Sequence, residues 1–294
     1  MDSPAARVAH VALRVDDLDS AVDFYAEVLG LSETERGGGR SYLTCNQRHH
    51  ELVLVESGRH GYEELALEYA TEAALEATLT SAEAAGGERL GPVRDEPGIG
   101  PAELVRAPGG HVFKLFTGMD SIDGSTNPPD PVRPSRFEHI SLKLKRPAPM
   151  ERFLTDGLGF EFSDRLGSMA SWWHCEAEHH GVALQRAPAN HLHHHAWTLT
   201  DLNALGEVSD RLHARGQTLT WGPGRHGPGN NHFIYFKDPS GALLECCSDI
   251  AMFDGRQPAY EPRKWPFRPN SVSLWGGVMP LPFIAAGIPV RRRT

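Results

Sequence analysis

The chain has 294 residues, 40% of them hydrophobic, and 29 Lys and Arg against 38 Asp and Glu, a formal net charge of −9. That is enough apolar sequence for one large or two medium domains, and the acidic balance gives neither nucleic acid nor an anionic membrane a reason to bind. Four cysteines without a Cys-x-x-Cys pair fit a reduced, cytoplasmic protein; Met1-Asp2-Ser3-Pro4 opens no signal peptide, and the apolar stretch near Pro280 to Val290 is too short and proline-broken to span a bilayer.

Val8 to Val15 alternates apolar and polar residues as a half-buried strand does, and the stretch AVDFYAEVLGL after it has helical spacing and a Leu-Gly stop. A second short helix is predicted around Ala73 to Ala85, followed by a final strand pair. From Asp123 to Pro134 the sequence reads DGSTNPPDPVRP, which builds neither a helix nor an inner strand. The order then repeats. Phe137 to Leu144 is a strand with a histidine in the phase of His10, PMERFLTDGLGF is its helix, and Asp201 to Arg215 is the second helix. Four βαβββ units account for this: a pair in residues 1–122, a linker in 123–135, a second pair in 136–253 and a tail in 254–294.

The segment HVALRVDDLDSAVDFYAEVLGL resembles the opening module of the vicinal oxygen chelate superfamily. The second half is similar to the type I extradiol (catechol 2,3-type) dioxygenases through HISLKL, HHGVAL, LHHHAW, GPGRHG and YFKDPSGALLE. The resemblance runs to about Asp254. It implies an α+β fold of two domains, each an incomplete β-barrel of two βαβββ modules, with the metal in the C-terminal one. It also implies a catechol and O2 as substrates, Fe(II) as cofactor with Mn(II) as the alternative ion, and a homo-oligomer, a tetramer by preference.

Such chemistry needs a divalent metal with open positions, which two neutral imidazoles and one carboxylate leave. His139 opens one module, His194 opens the next in the same phase, and Glu245 ends the last strand after the turn Asp238-Pro239-Ser240-Gly241. The tract HLHHH also offers His193 and His195; strand alternation turns His193 to the other side and favours His194. A single strand histidine is commonly structural, and it is the ordered set that points to a metal. In the first half Lys114 stands where Glu245 stands in the second, and the strand near Tyr62 to Tyr69 holds no histidine. That half is therefore expected to be a metal-free scaffold.

The resemblance also assigns accessory roles. His180 would move a proton between the second catechol hydroxyl and the reacting oxygen, a task suited to a group titrating near neutrality. His226, in a loop whose glycines would let backbone approach a ligand, and Tyr235 would hydrogen-bond the substrate oxygens. Trp172, Trp173 and Trp221 are expected to wall an apolar ring pocket, with core packing the equal alternative for Trp172 and Trp173, and with Arg225, Arg263, Lys264 and Arg268 as the cations able to contradict an apolar pocket. The rival readings are a glyoxalase-like isomerase or epimerase, whose sites favour four protein ligands, and a non-catalytic small-molecule-binding protein.

Overall fold

The computed structural model describes residues 6–123, 130–253 and 260–291. The first five residues, the middle of the expected linker, the start of the tail and Arg292 to Thr294 lie outside the described residues. The first half comprises β1 (Arg7–Val15), α1 (Leu18–Leu29), β2 (Ser32–Gly37), β3 (Arg40–Thr44) and β4 (Leu52–Glu56), then β5 (Gly61–Tyr69), α2 (Glu72–Ala84), β6 (Glu88–Val93), β7 (Ala102–Arg106) and β8 (Val112–Thr117). The second half repeats the order with β9 (Arg136–Leu144), α3 (Pro147–Arg152), β10 (Glu161–Leu166), β11 (Ala170–His174) and β12 (Val182–Arg186). It closes with β13 (His191–Thr198), α4 (Leu202–Ala214), β14 (Trp221–Arg225), β15 (His232–Lys237) and β16 (Leu243–Ser248). These are the four βαβββ units expected from the sequence.

The helix boundaries have local causes. Asp17 accepts from the Ser20 amide at 3.0 Å and starts α1; Gly30, at φ 66°, ends it in the left-handed region where glycine carries no steric penalty. The corresponding helix of the second half departs from expectation. After α3 it widens into a π-helical turn over Phe153–Gly157, where a Cβ on Gly157 would lie 3.1 Å from the Ala82 backbone of α2.

Each half is one sheet, ordered β2-β3-β4-β1-β5-β8-β7-β6 in the first and β14-β15-β16-β13-β9-β12-β11-β10 in the second. Within a module the first and last strands pair in parallel, as β9 does with β12, and the opening strands of sister modules pair antiparallel, as β9 does with β13. One hydrophobic cluster, from Ala6 to Ile288, runs through both halves.

The tail is part of the second sheet rather than an appendage. β17 (Arg263–Trp265) adds in parallel to β10, and after α5 (Pro269–Val272) and α6 (Leu281–Ala285) the chain returns as β18 (Ile288–Pro289) against β13. The described end of the linker is also packed: Asp130 holds Arg211 of α4 at 2.7 Å, and Val132 is buried.

Candidate metal centre and active-site cavity

Strand register brings the three predicted ligands together. On β9, β13 and β16, His139 lies opposite Ala196, and Ala196 opposite Glu245. His194, two residues before Ala196 on β13, faces the same side by strand alternation. His139 Nε2 is 3.3 Å from His194 Nε2 and 3.3 Å from Glu245 Oε2, and His194 Nε2 is 3.2 Å from that oxygen. All three residues are buried. His195 points elsewhere, to Tyr25 Oη at 3.3 Å and the Trp197 indole N–H at 3.0 Å.

The donor set fits a divalent cation. His139 Nδ1 donates to Glu138 Oε1 at 2.9 Å, so in the neutral ring Nε2 is bare. The Nδ1 of His194 sits 2.7 Å from His193 Nδ1, which leaves its Nε2 bare as well once His193 accepts. Two lone pairs and a carboxylate then face one another, an arrangement that repels itself without a cation between. With only protons to fill it, burial would lower the His139 pKa, yet its hydrogen bonds to Glu138 and Glu245 raise it to about 9. Burial would likewise raise Glu245, but its close contacts with the His139, His194 and His226 rings hold it well below the usual carboxylate range.

Sequence reasoning missed the residues behind the ligands. Glu138 is buried and also accepts from Thr198 Oγ1 at 2.5 Å and Cys247 Sγ at 3.2 Å. It brings a second negative charge within reach of the centre, so a 2+ ion is closer to neutralised than Glu245 alone would make it. Asn231 Nδ2 donates to Glu245 Oε1 at 3.0 Å and fixes the carboxylate's second oxygen. The neighbouring His139 was the signal available for Glu138, since a ligand imidazole needs an acceptor on its other nitrogen; Asn231 left no such signal.

A cavity of about 300 Å³ opens on this cluster and is lined by His139, His194, Glu245, His180, His226 and Tyr235. The His180 ring centroid is 4.1 Å from that of His139, and its Nδ1 is 2.9 Å from His179 Nδ1. Burial and then the neighbouring His139 push its pKa well below 6.5, so it is a neutral imidazole rather than one titrating near neutrality as the sequence suggested. Tyr235 lies directly opposite Glu245 on β15 and β16; its hydroxyl donates to Glu245 Oε2 at 2.6 Å and lies 2.9 Å from His226 Nε2.

The aromatic wall differs from expectation. Trp172 lines the cavity, whereas Trp173 turns into the core. Trp221 does not line it but stacks behind Tyr235, at 5.7 Å and 13° between planes: the two are register partners, and Trp221 is on the outer strand β14, one strand further from the centre. The glycines of GPGRHG make room for protein: a Cβ on Gly224 would lie 2.4 Å from the Phe233 ring, and one on Gly227 would lie 2.2 Å from the Ser271 carbonyl of the tail. The tail supplies Phe267, Met279, Phe283 and Ile284 to the cavity. None of Arg225, Arg263, Lys264 and Arg268 lines it; among the described residues the lining cations are Lys143 and Arg186. Lys143 Nζ is already held by the Ile284 carbonyl at 2.7 Å and the Ala286 carbonyl at 2.5 Å, and Arg186 is solvent-exposed.

In the first half the equivalent row reads His10, Ala66 and Lys114, with Glu64 where His194 stands. His10, His50 and Glu96 cluster there. The buried Lys114 ammonium pairs with Glu64, lies 2.5 Å from Glu96 and is 3.5 Å from His10 Nε2, so a cation is already built in.

Residues 7–115 and 136–246 match the family model described as glyoxalase/bleomycin resistance protein/dioxygenase superfamily, and the chain belongs to that superfamily. It is 27% identical over 290 residues to a manganese-dependent 2,3-dihydroxybiphenyl 1,2-dioxygenase of Geobacillus genomosp. 3, covering 90% of this chain and 91% of the relative. A solved homoprotocatechuate 2,3-dioxygenase from Brevibacterium fuscum, in complex with 3,4-dihydroxyphenylacetate, shares the fold with a TM-score of 0.88 at 22% identity, covering 99% of this chain and 96% of that one. A Mn(II)-bound glyoxalase from Novosphingobium aromaticivorans superposes with a TM-score of 0.85 at 27% identity, covering 94% of each chain.

Proposed function

We propose that this chain is an extradiol dioxygenase that opens a catechol ring beside its two hydroxyls, using Fe(II) held by His139, His194 and Glu245. The observation that carries the reading is the convergence of two bare imidazole nitrogens and one carboxylate, 3.2 to 3.3 Å apart, at the foot of a cavity also lined by His180, His226 and Tyr235. A divalent iron there would bring both catechol oxygens and O2 to one centre and let electrons pass between them; Mn(II) suits the same donors.

The remaining work belongs to the chain's own side chains. Neutral His180 is placed to take a proton at the cavity face. His226 and Tyr235 can hold the substrate oxygens, with the His226 ring fixed by a 2.8 Å hydrogen bond from Nδ1 to the Val272 carbonyl. The apolar wall excludes water from the reacting atoms. The cavity lies at the small end of the range for ligand pockets, about 300–1,000 Å³, which suits a one- or two-ring phenol.

The glyoxalase-like alternative is supported by overall likeness to the Mn(II)-bound glyoxalase. A four-ligand site would need another donor, and the buried carboxylate of Glu138 engages the far nitrogen of His139 instead. Anaerobic loading with Fe(II) or Mn(II), followed by catechols and air, separates the readings: ring opening supports the dioxygenase, and unchanged catechol opposes it.

We also place the protein in the cytoplasm, on the strength of its four free thiols, and expect a homo-oligomer with the tetramer preferred. Light scattering that gives the 32.3 kDa monomer mass would remove the second expectation.

A further inference from the structure

Three tail carbonyls dock on the floor of the second sheet. Ile284 and Ala286 accept from Lys143 of β9, and the Phe283 carbonyl lies 2.9 Å from His193 Nε2. The Phe283 ring is packed edge-on to His193 and Tyr235, each at 4.8 Å, and β18 pins the chain just beyond it. His193 is buried in this contact, one residue before the proposed ligand His194.

The proton positions follow from what each partner can do. A carbonyl only accepts, so His193 Nε2 carries the proton and donates to Phe283. The Gln185 amide nitrogen, which can only donate, faces Nδ1, so that ring nitrogen accepts and is bare. Two donors face that nitrogen: Gln185 Nε2 at 3.2 Å and His194 Nδ1 at 2.7 Å. At 2.7 Å two bare nitrogens would repel, so His194 Nδ1 carries a proton and its Nε2 presents a lone pair to Glu245 and His139.

We propose that His193 is a positioning residue that relays the docking of the C-terminal tail to the metal centre, fixing the tautomer and ring orientation of His194 through the chain Phe283 carbonyl, His193, His194. The inference rests on His194 being a metal ligand. It makes the tail a structural part of the centre as well as a wall of the cavity. His139 is served differently, by the carboxylate of Glu138 on its own strand.

Asparagine and glutamine separate the two hydrogen bonds of His193. In His193→Asn the amide oxygen can take the place of Nδ1 and accept from His194, and it needs no tail contact to fix a tautomer. In His193→Gln the longer side chain reaches the Nε2 position and can serve Phe283, but the acceptor at Nδ1 is gone. The measurement is the Mn(II) dissociation constant of the full-length apo-protein, read from the free-ion EPR signal, for wild type, His193→Asn, His193→Gln, His193→Phe and His194→Ala. Loss of one outer hydrogen-bond partner of a ligand histidine costs about 10–100-fold in metal affinity. The expected order has His193→Asn close to wild type, with His193→Gln and His193→Phe weakened by about that factor. Equal weakening in all three, which packing alone would produce, overturns the relay, and so does a His193→Gln affinity equal to wild type. If His194→Ala binds Mn(II) as wild type does, the ligand assignment itself fails; that outcome is distinct from a failure of the relay.

Discussion

Each of the two histidine nitrogens that face the metal centre has its opposite nitrogen occupied: His139 by Glu138 and His194 by His193. Such partners set which nitrogen is free to ligate and which way the ring points. Replacing His139, His194 or Glu245 with alanine is therefore expected to abolish turnover and most metal retention, checked by metal analysis after desalting. Retention by His194→Ala with full turnover would move the assignment to His193 or His195. The metal-free site should also be strongly linked to pH. Without metal, His139 binds a proton with a pKa of about 9, so a metal must displace that proton anywhere below that value. The apparent Mn(II) affinity should then weaken about tenfold for each unit the pH falls below 9, and a flat profile between about pH 6.5 and 8.5 would contradict it. For His180, buried and neutral beside His139, substitution by phenylalanine should leave metal binding intact and slow kcat by about 10²–10⁴-fold. An unchanged kcat would remove His180 from the proton transfer.

Among the elements, the long strands are legible in the sequence and the short tail pieces are not. β9 and β13 alternate over nine and eight residues, which is why the phases of His139 and His194 can be read. Trp221 escapes such a reading because it is the register partner of Tyr235 on the outer strand β14, and nothing local in the sequence marks that strand order. The five residues of α6 are too few to carry a period, yet their position brings Phe283 and Ile284 into the cavity. Glu138 has one local signal, its neighbour His139; its other partners, Thr198 and Cys247, lie 60 and 109 residues away and leave none. The wall made by Trp172, Met169, Leu166 and the tail residues is apolar, and its best-placed cation, Lys143, is engaged by two carbonyls. A carboxylated side chain would find little to neutralise it there. The ratio kcat/KM should accordingly be higher for an aryl- or alkyl-catechol than for homoprotocatechuate; the reverse order would place Arg186 or a released Lys143 in substrate binding and leave the ring-cleavage reading untouched.

At the scale of the molecule, two copies of one βαβββ pair have diverged in charge at equivalent points. His139, His194 and Glu245 correspond in strand register to His10, Glu64 and Lys114. A buried ammonium among carboxylates does covalently what a bound ion would do in the other half, and a second cation there would meet a like charge at close range. One metal per chain is expected at full loading, and elemental analysis giving two would refute the scaffold role of the first half. That asymmetry is legible because the substitution of Lys114 for Glu245 changes the sign of a charge; the compensating Glu64 and Glu96 become visible only with the register. The central claim is that the second centre performs ring opening with O2. Its most direct test is to load the protein anaerobically with Fe(II), add 2,3-dihydroxybiphenyl, admit air, and follow the visible absorbance and the O2 consumed. The account predicts a yellow ring-opened product formed with one O2 taken up per catechol, and none from the Glu245→Ala protein. Unchanged catechol from the iron-loaded wild type, or equal yellow product from Glu245→Ala, would contradict it.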